Sequence, residues 1–119
     1  MIGYGVSYCS DDQNVLISGK TKNLTHDDKN AGALTYDGFI MKVTPLGFIN
    51  WISYLSSKQG YDEYVGNAVA TQGMIYAHFH TNNPTGTKTS AVCKLSFDEG
   101  KLQWAKQIMF LDNIYQPAN

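Results

Sequence analysis

The sequence has little of what would tie it to a known chemistry or address. Its 119 residues hold only two cysteines, Cys9 and Cys93. That is too few for the disulfide framework of a small secreted domain, and they lie too far apart in the chain for a metal site built on closely spaced thiols. Two packed thiols are expected, following the burial habit of free cysteine. No apolar stretch approaches the roughly 20 residues that span a bilayer, so direct membrane insertion is not expected. Residues 1–10 also lack the basic start and apolar core of a signal peptide. The net charge is −1, and the basic residues form no run or stripe, which removes nucleic acid and anionic membrane as partners. Helix signals are missing too: there is no long apolar stripe at period 3.6 and no cap followed by one.

Catalytic signatures are equally scarce. The serines at positions 7, 10, 53, 56 and 57 stand in no Gly-x-Ser-x-Gly elbow. Gly3 and Gly5 form a G-x-G that leads into a β-prone run, where a dinucleotide site requires a helix. No enzyme activity and no cofactor are expected.

What the chain does contain is hairpins. Residues 37–43 are apolar and β-prone, Thr44-Pro45-Leu46-Gly47 has the Pro and Gly of a tight turn, and residues 48–55 form a second apolar run carrying Trp51. A variant returns at residues 89–108, with Lys94 for Lys42, Gly100 for Gly47 and Trp104 for Trp51. Two more hairpins are expected, one from 3–8 and 15–19 across Asp11-Asp12-Gln13-Asn14, the other from 66–70 and 74–79 across Thr71-Gln72-Gly73. Polar loops at 22–36 and 82–88 separate the pairs, and residues 56–64 read as a polar connector.

The halves form a repeat. Gly3 and Val6 align with Gly66 and Val69 at an offset of 63, Thr21 with Thr81 at 60, Lys42 with Lys94 at 52, and Trp51 with Trp104 at 53. The offsets drift at loops, where a stacked repeat tolerates insertions. Each half supplies four short strands in a length close to that of a propeller blade. The expected fold is all-β: about two four-stranded antiparallel β-propeller blades, at 1–64 (with the long loop 22–36) and 65–119, belonging to a larger propeller. A β-sandwich of eight strands is the alternative, but it has no need of two matched halves.

The first half, through Asn14-Val15, Gly19, Thr21, Asp37, Phe39, Lys42, Gly47, Trp51, Tyr54-Leu55, Gly60, Asp62-Glu63 and Gly66, resembles the bacterial-type β-propeller repeat named for seven-bladed propellers. The second half departs at His78-Phe79, at Ala91 in place of Phe39, and at Gln107-Ile108 after the tryptophan. The stretch from Asp98-Glu99-Gly100 to Trp104 is also similar to the end of a quinoprotein blade. The resemblance implies a blade and not an activity. The function expected is a non-catalytic structural scaffold, or a protein- or glycan-binding module, of a larger assembly, with a fragment of a quinoprotein-like dehydrogenase as the alternative.

The structural repeat residues Gly47, Trp51, Gly100 and Trp104 are the first site candidates, and both tryptophans are expected to be largely buried against a neighbouring blade. His78 and His80, two apart on one strand, point to one face and offer two imidazoles to a metal, but no sequence neighbour supplies a third ligand. Solvated turns are the expected setting of the acidic pairs Asp11-Asp12, Asp27-Asp28 and Asp62-Glu63. The eight tyrosines suit packing between blades, or stacking on sugars and anchoring a partner at a propeller mouth. Asn23-Leu24-Thr25 is a glycosylation sequon and suggests an extracellular or cell-envelope setting. Because two blades cannot close a ring, the expected partners are further blades of the same polypeptide, other copies, or partner proteins.

Overall fold

The computed structural model describes residues 1–22, 36–56, 61–82 and 88–108. They form eight strands: β1 (Ile2–Tyr8), β2 (Val15–Lys22), β3 (Tyr36–Val43), β4 (Ile49–Leu55), β5 (Asp62–Thr71), β6 (Met74–Asn82), β7 (Lys88–Ser96) and β8 (Leu102–Gln107). Sequential strands pair antiparallel into two four-stranded meanders, β1-β2-β3-β4 and β5-β6-β7-β8. The described residues contain no helix, and so none long and apolar enough to cross a membrane.

Turn chemistry fixes the hairpins where the sequence placed them. Gln72 and Gly73 both take positive φ, 51° and 76°, as the two-residue turn between right-twisted strands requires. Gly47 at φ 90° and Gly100 at φ 69° close the β3–β4 and β7–β8 turns, where the Gly47 and Gly100 amides donate to Thr44 O and Ser96 O. The two glycines differ in surroundings. A Cβ on Gly47 would meet nothing within 4 Å, whereas one on Gly100 would collide with the Trp51 ring and the Ser53 hydroxyl. Gly47→Ala should therefore cost only the left-handed backbone penalty, about 1–2 kcal/mol. Gly100→Ala should cost clearly more, and urea denaturation of the two variants side by side checks the order.

The cross-strand registers refine the repeat. Gly3 pairs with Gly19 and Val65 with Phe79, while Val6 pairs with Ile17 and Ala68 with Ala77. Val6 thus corresponds to Ala68 and Gly3 to Val65, one residue away from the sequence alignment of Gly3 with Gly66 and Val6 with Val69. A one-residue slip in a strand exchanges its two faces, so this correction decides which side chains are equivalent. The departures at Phe79 and Ala91 prove to be one event. Gly19 faces Phe39 across β2 and β3, and Phe79 faces Ala91 across β6 and β7. The bulky ring has moved to the partner strand, a swap that keeps the volume of the pair, the change a packed interior tolerates best.

The second sheet lies with one face on the first, and β5 runs across β1, β2 and β3. Leu16, Ile40 and Leu55 from the first sheet and Val65, Ala68, Ile75, Ala77, Phe79, Cys93 and Leu95 from the second make the buried cluster between them, joined by Cys9. Cys9 and Cys93 are buried free thiols. Burial pushes Cys93 up to about 11, and burial followed by the Asp12 charge also raises Cys9.

Three expectations are corrected here. Residues 62–64 belong to β5 rather than to a polar connector, and Asp62-Glu63 is not a solvated pair. Glu63 is fully buried and accepts a hydrogen bond from Ser56 Oγ at 3.3 Å, while Asp62 Oδ1 accepts one from the Tyr36 amide at 3.2 Å. The carboxylates satisfy backbone and hydroxyl donors at the ends of β3 and β4, tying the sheets together where a purely apolar strand would leave those donors unmet. Trp51 and Trp104, expected to be largely buried, are both half-buried. Trp51 lies partly buried against the core, and no sheet of described residues covers Trp104.

Candidate binding surface

Trp51 shows what a covered repeat face looks like. Its indole Nε1–H donates to Phe97 O at 3.1 Å, and Ser53 Oγ donates to Gly100 O, so the β7–β8 turn of the second sheet is seated on β4 of the first. Beside them Lys42 is buried, with its Nζ 2.8 Å from Asp12 Oδ2 and 3.7 Å from the centre of the Phe97 ring. Burial alone would raise the Asp12 carboxyl, but the hydrogen bonds from Lys42 and Asn14 outweigh it and hold Asp12 below its ordinary value. The Lys42–Trp51 cross-strand pair of the first sheet corresponds to the Lys94–Trp104 pair of the second.

Lys94 and Trp104 stand on the opposite face of the second sheet, which is uncovered among the described residues. Register places Tyr64, Asn67, Val69, Tyr76, His78, His80 and Val92 on that face with them. Tyr76 and Trp104 sit 6.4 Å apart with tilted rings, and the Lys106 ammonium lies 4.9 Å above the Trp104 ring. A shallow pocket of about 260 Å³ opens between Asn67, Val69, Tyr76, His78 and Val92. Lys94 Nζ lies 5.9 Å from the Tyr76 ring and, among the described residues, has no carboxylate in the place that Asp12 holds beside Lys42. The cause is the β5–β6 turn, whose two residues leave no room for the acid carried by the longer β1–β2 turn.

Next to the pocket the rings continue as a row. His78 and His80 lie 3.9 Å apart, His80 stacks on Tyr64 at 4.5 Å, and Tyr64 meets Tyr4 of the first sheet at 5.2 Å. Lys20 Nζ closes the row 4.2 Å from the Tyr36 ring. His78 and His80 do share a face, as their spacing requires. Among the described residues, no three His, Cys, Asp or Glu side chains gather as metal ligands, and His80 Nδ1 faces Ser90 Oγ at 3.3 Å. The aromatic partners Tyr64 and Tyr4 could not be found from spacing, because their contact crosses from one sheet to the other. Asn23 and Asp27-Asp28 lie outside the described residues.

Burial, followed by the neighbouring His78, lowers the His80 pKa from its ordinary 6.5. A histidine whose folded pKa is depressed takes up a proton more readily when unfolded, so its contribution to stability is whole above pH 6.5 and falls as pH drops through the folded value. His80→Gln should flatten that acid-side loss in urea denaturation curves taken across the pH range. An unchanged slope in the variant would assign the loss to other groups.

The chain matches no known family model, and no curated protein matches it significantly.

Proposed function

We propose that the chain is a pair of consecutive β-propeller blades, similar to the bacterial-type repeat of seven-bladed propellers, serving as a scaffold or a protein- or glycan-binding module of a larger assembly. One observation carries the reading: the Lys42–Trp51 face is covered by the next sheet, while the corresponding Lys94–Trp104 face points the same way and, among the described residues, is open. Successive repeats that stack in one direction put equivalent faces on the same side of each sheet. In the alternative, a sandwich of two matched halves about a two-fold axis, equivalent faces would meet each other. The open face supports a binding role, because tyrosine, tryptophan and histidine rings standing on a rigid sheet provide contact area at little entropic cost. An extracellular or envelope setting rests on the Asn23-Leu24-Thr25 sequon alone.

The rival reading, a piece of a quinoprotein-like dehydrogenase, requires a bound chromophore. Natively purified protein should absorb only through its aromatic side chains, and a visible or near-ultraviolet cofactor band would favour the rival. Binding itself is tested by following Trp104 fluorescence in a Trp51→Phe background during titration with soluble glycans and peptides. A saturable change is expected, and a flat response to every probe would count against a binding module.

A further inference from the structure

We infer that His78 and His80 form a two-imidazole site for a transition-metal dication, copper(II) in preference to zinc, on the outer face of the second sheet. The site goes beyond the blade reading and does not depend on it, since it needs only β6 and the strands on either side, β5 and β7.

Spacing alone does not make such a site. Alternate residues of a strand share a face but stand about 6.7 Å apart at the backbone, so their side chains need not meet. Here the two rings lean together to 3.9 Å between centres, tilted by 54°. Two nitrogens on one ion, each bound at about 2.0–2.1 Å, lie at most about 4 Å apart. The rings are therefore already within the span that a single ion would bridge.

His80 is held from three sides. Tyr64, its cross-strand partner on β5, stacks on the ring at 4.5 Å and 12°. Ser90, its partner on β7, has its hydroxyl 3.3 Å from Nδ1. With the proton on Nδ1 and donated to Ser90 Oγ, Nε2 carries the lone pair, and hydrogen bonds of this kind fix the tautomer of metal-binding histidines. The third side is the β5 bulge, where the register shifts between Val65 and Asn67. The residue in the bulge is Gly66, and a Cβ there would come within 3.3 Å of His80 Nε2. Glycine inside a strand marks a bulge or a close approach, and at this position it keeps the ligating nitrogen uncrowded.

Burial and the neighbouring His78 lower the His80 pKa, so this imidazole is uncharged at neutral pH, the form that a metal requires. His78 is exposed and free to adjust while His80 stays in place, and a ligand held in place beforehand loses less freedom on binding. Imidazole suits copper, nickel and zinc, and a given nitrogen site binds copper(II) more tightly than zinc. Among the described residues no third His, Cys, Asp or Glu joins the pair, which leaves the remaining coordination positions to water.

Titration of the full chain with copper(II) at neutral pH, followed by calorimetry and electron paramagnetic resonance, tests the site. One ion should bind with a spectrum showing two nitrogen ligands, and zinc should compete for it only in excess. Ser90→Ala, at a residue that touches no metal, should weaken binding about tenfold by freeing the tautomer. His78→Ala and His80→Ala should each weaken it more than that and lose the two-nitrogen spectrum, with circular dichroism confirming that each variant folds. A native chain that takes up no copper overturns the site. So does binding that persists unchanged in either histidine variant, or that disappears instead in His26→Ala, the third histidine of the chain, which lies outside the described residues. Each of these failures leaves the blade reading standing.

Discussion

Asp12→Ala is expected to destabilise the fold by about 2–4 kcal/mol, because it leaves the buried Lys42 ammonium without its counter-charge. The Lys42 side chain is 3% exposed and Asp12 29%, so the lysine cannot turn to water while the second sheet stays in place. The Phe97 ring 3.7 Å from Nζ compensates only in part, as a cation–π contact is worth less than a hydrogen-bonded carboxylate. Lys42→Met should be nearly neutral by the same reasoning, since it removes the charge together with the need for a partner and keeps most of the side-chain volume. Comparison of both variants with the native chain in urea separates the effects. The pair also sets an acid limit. Asp12 titrates below its ordinary 3.8 in the folded chain, so its contribution is present above pH 3.8 and is lost as pH falls through the folded value. Lys42→Met should remove that dependence. Equal costs for Asp12→Ala and Lys42→Met would mean that the ammonium finds another partner.

Trp51→Ala and Trp104→Ala should differ sharply although the residues occupy the same place in the repeat. Trp51 packs against the buried cluster, donates to Phe97 O and lies against Gly100. Its truncation should cost about 2–4 kcal/mol, at or below the usual range for a core aromatic because one edge already faces water. Among the described residues the Trp104 ring meets only Tyr76 and Lys106, and its truncation should cost less than about 1 kcal/mol. Chemical denaturation at low protein concentration checks the contrast, and a large loss from Trp104→Ala would mean that its face is covered even in the single chain.

The eight strands were legible because their turns are chemically explicit: Pro45 with Gly47, Gln72-Gly73 and Gly100 each stop a β-prone run where a tight turn is required. The start of β5 was not, because Asp62 and Glu63 look like solvent-facing residues until the donors they satisfy, Tyr36 N–H and Ser56 Oγ–H, are brought to them by folding. The repeat register was legible at the tryptophans, which are distinctive, and slipped by one residue at Gly3 and Val6, where small residues align equally well either way. The Gly19–Phe39 and Phe79–Ala91 exchange looked like two separate losses of pattern, since cross-strand partnership is invisible in one dimension. His78 and His80 were found by period alone. Tyr4, Tyr64 and Lys20, which complete their surface, come from other strands and required the packing of sheet on sheet.

Hydrogen exchange at the two indole N–H groups, read by NMR, tests most directly whether one repeat face is covered and its equivalent is open. The Trp51 N–H, bound to Phe97 O, should exchange slowly. The Trp104 N–H, which has no acceptor among the described residues, should exchange freely. Two indoles that exchange alike, fast or slow, would contradict the head-to-tail relation of the two sheets.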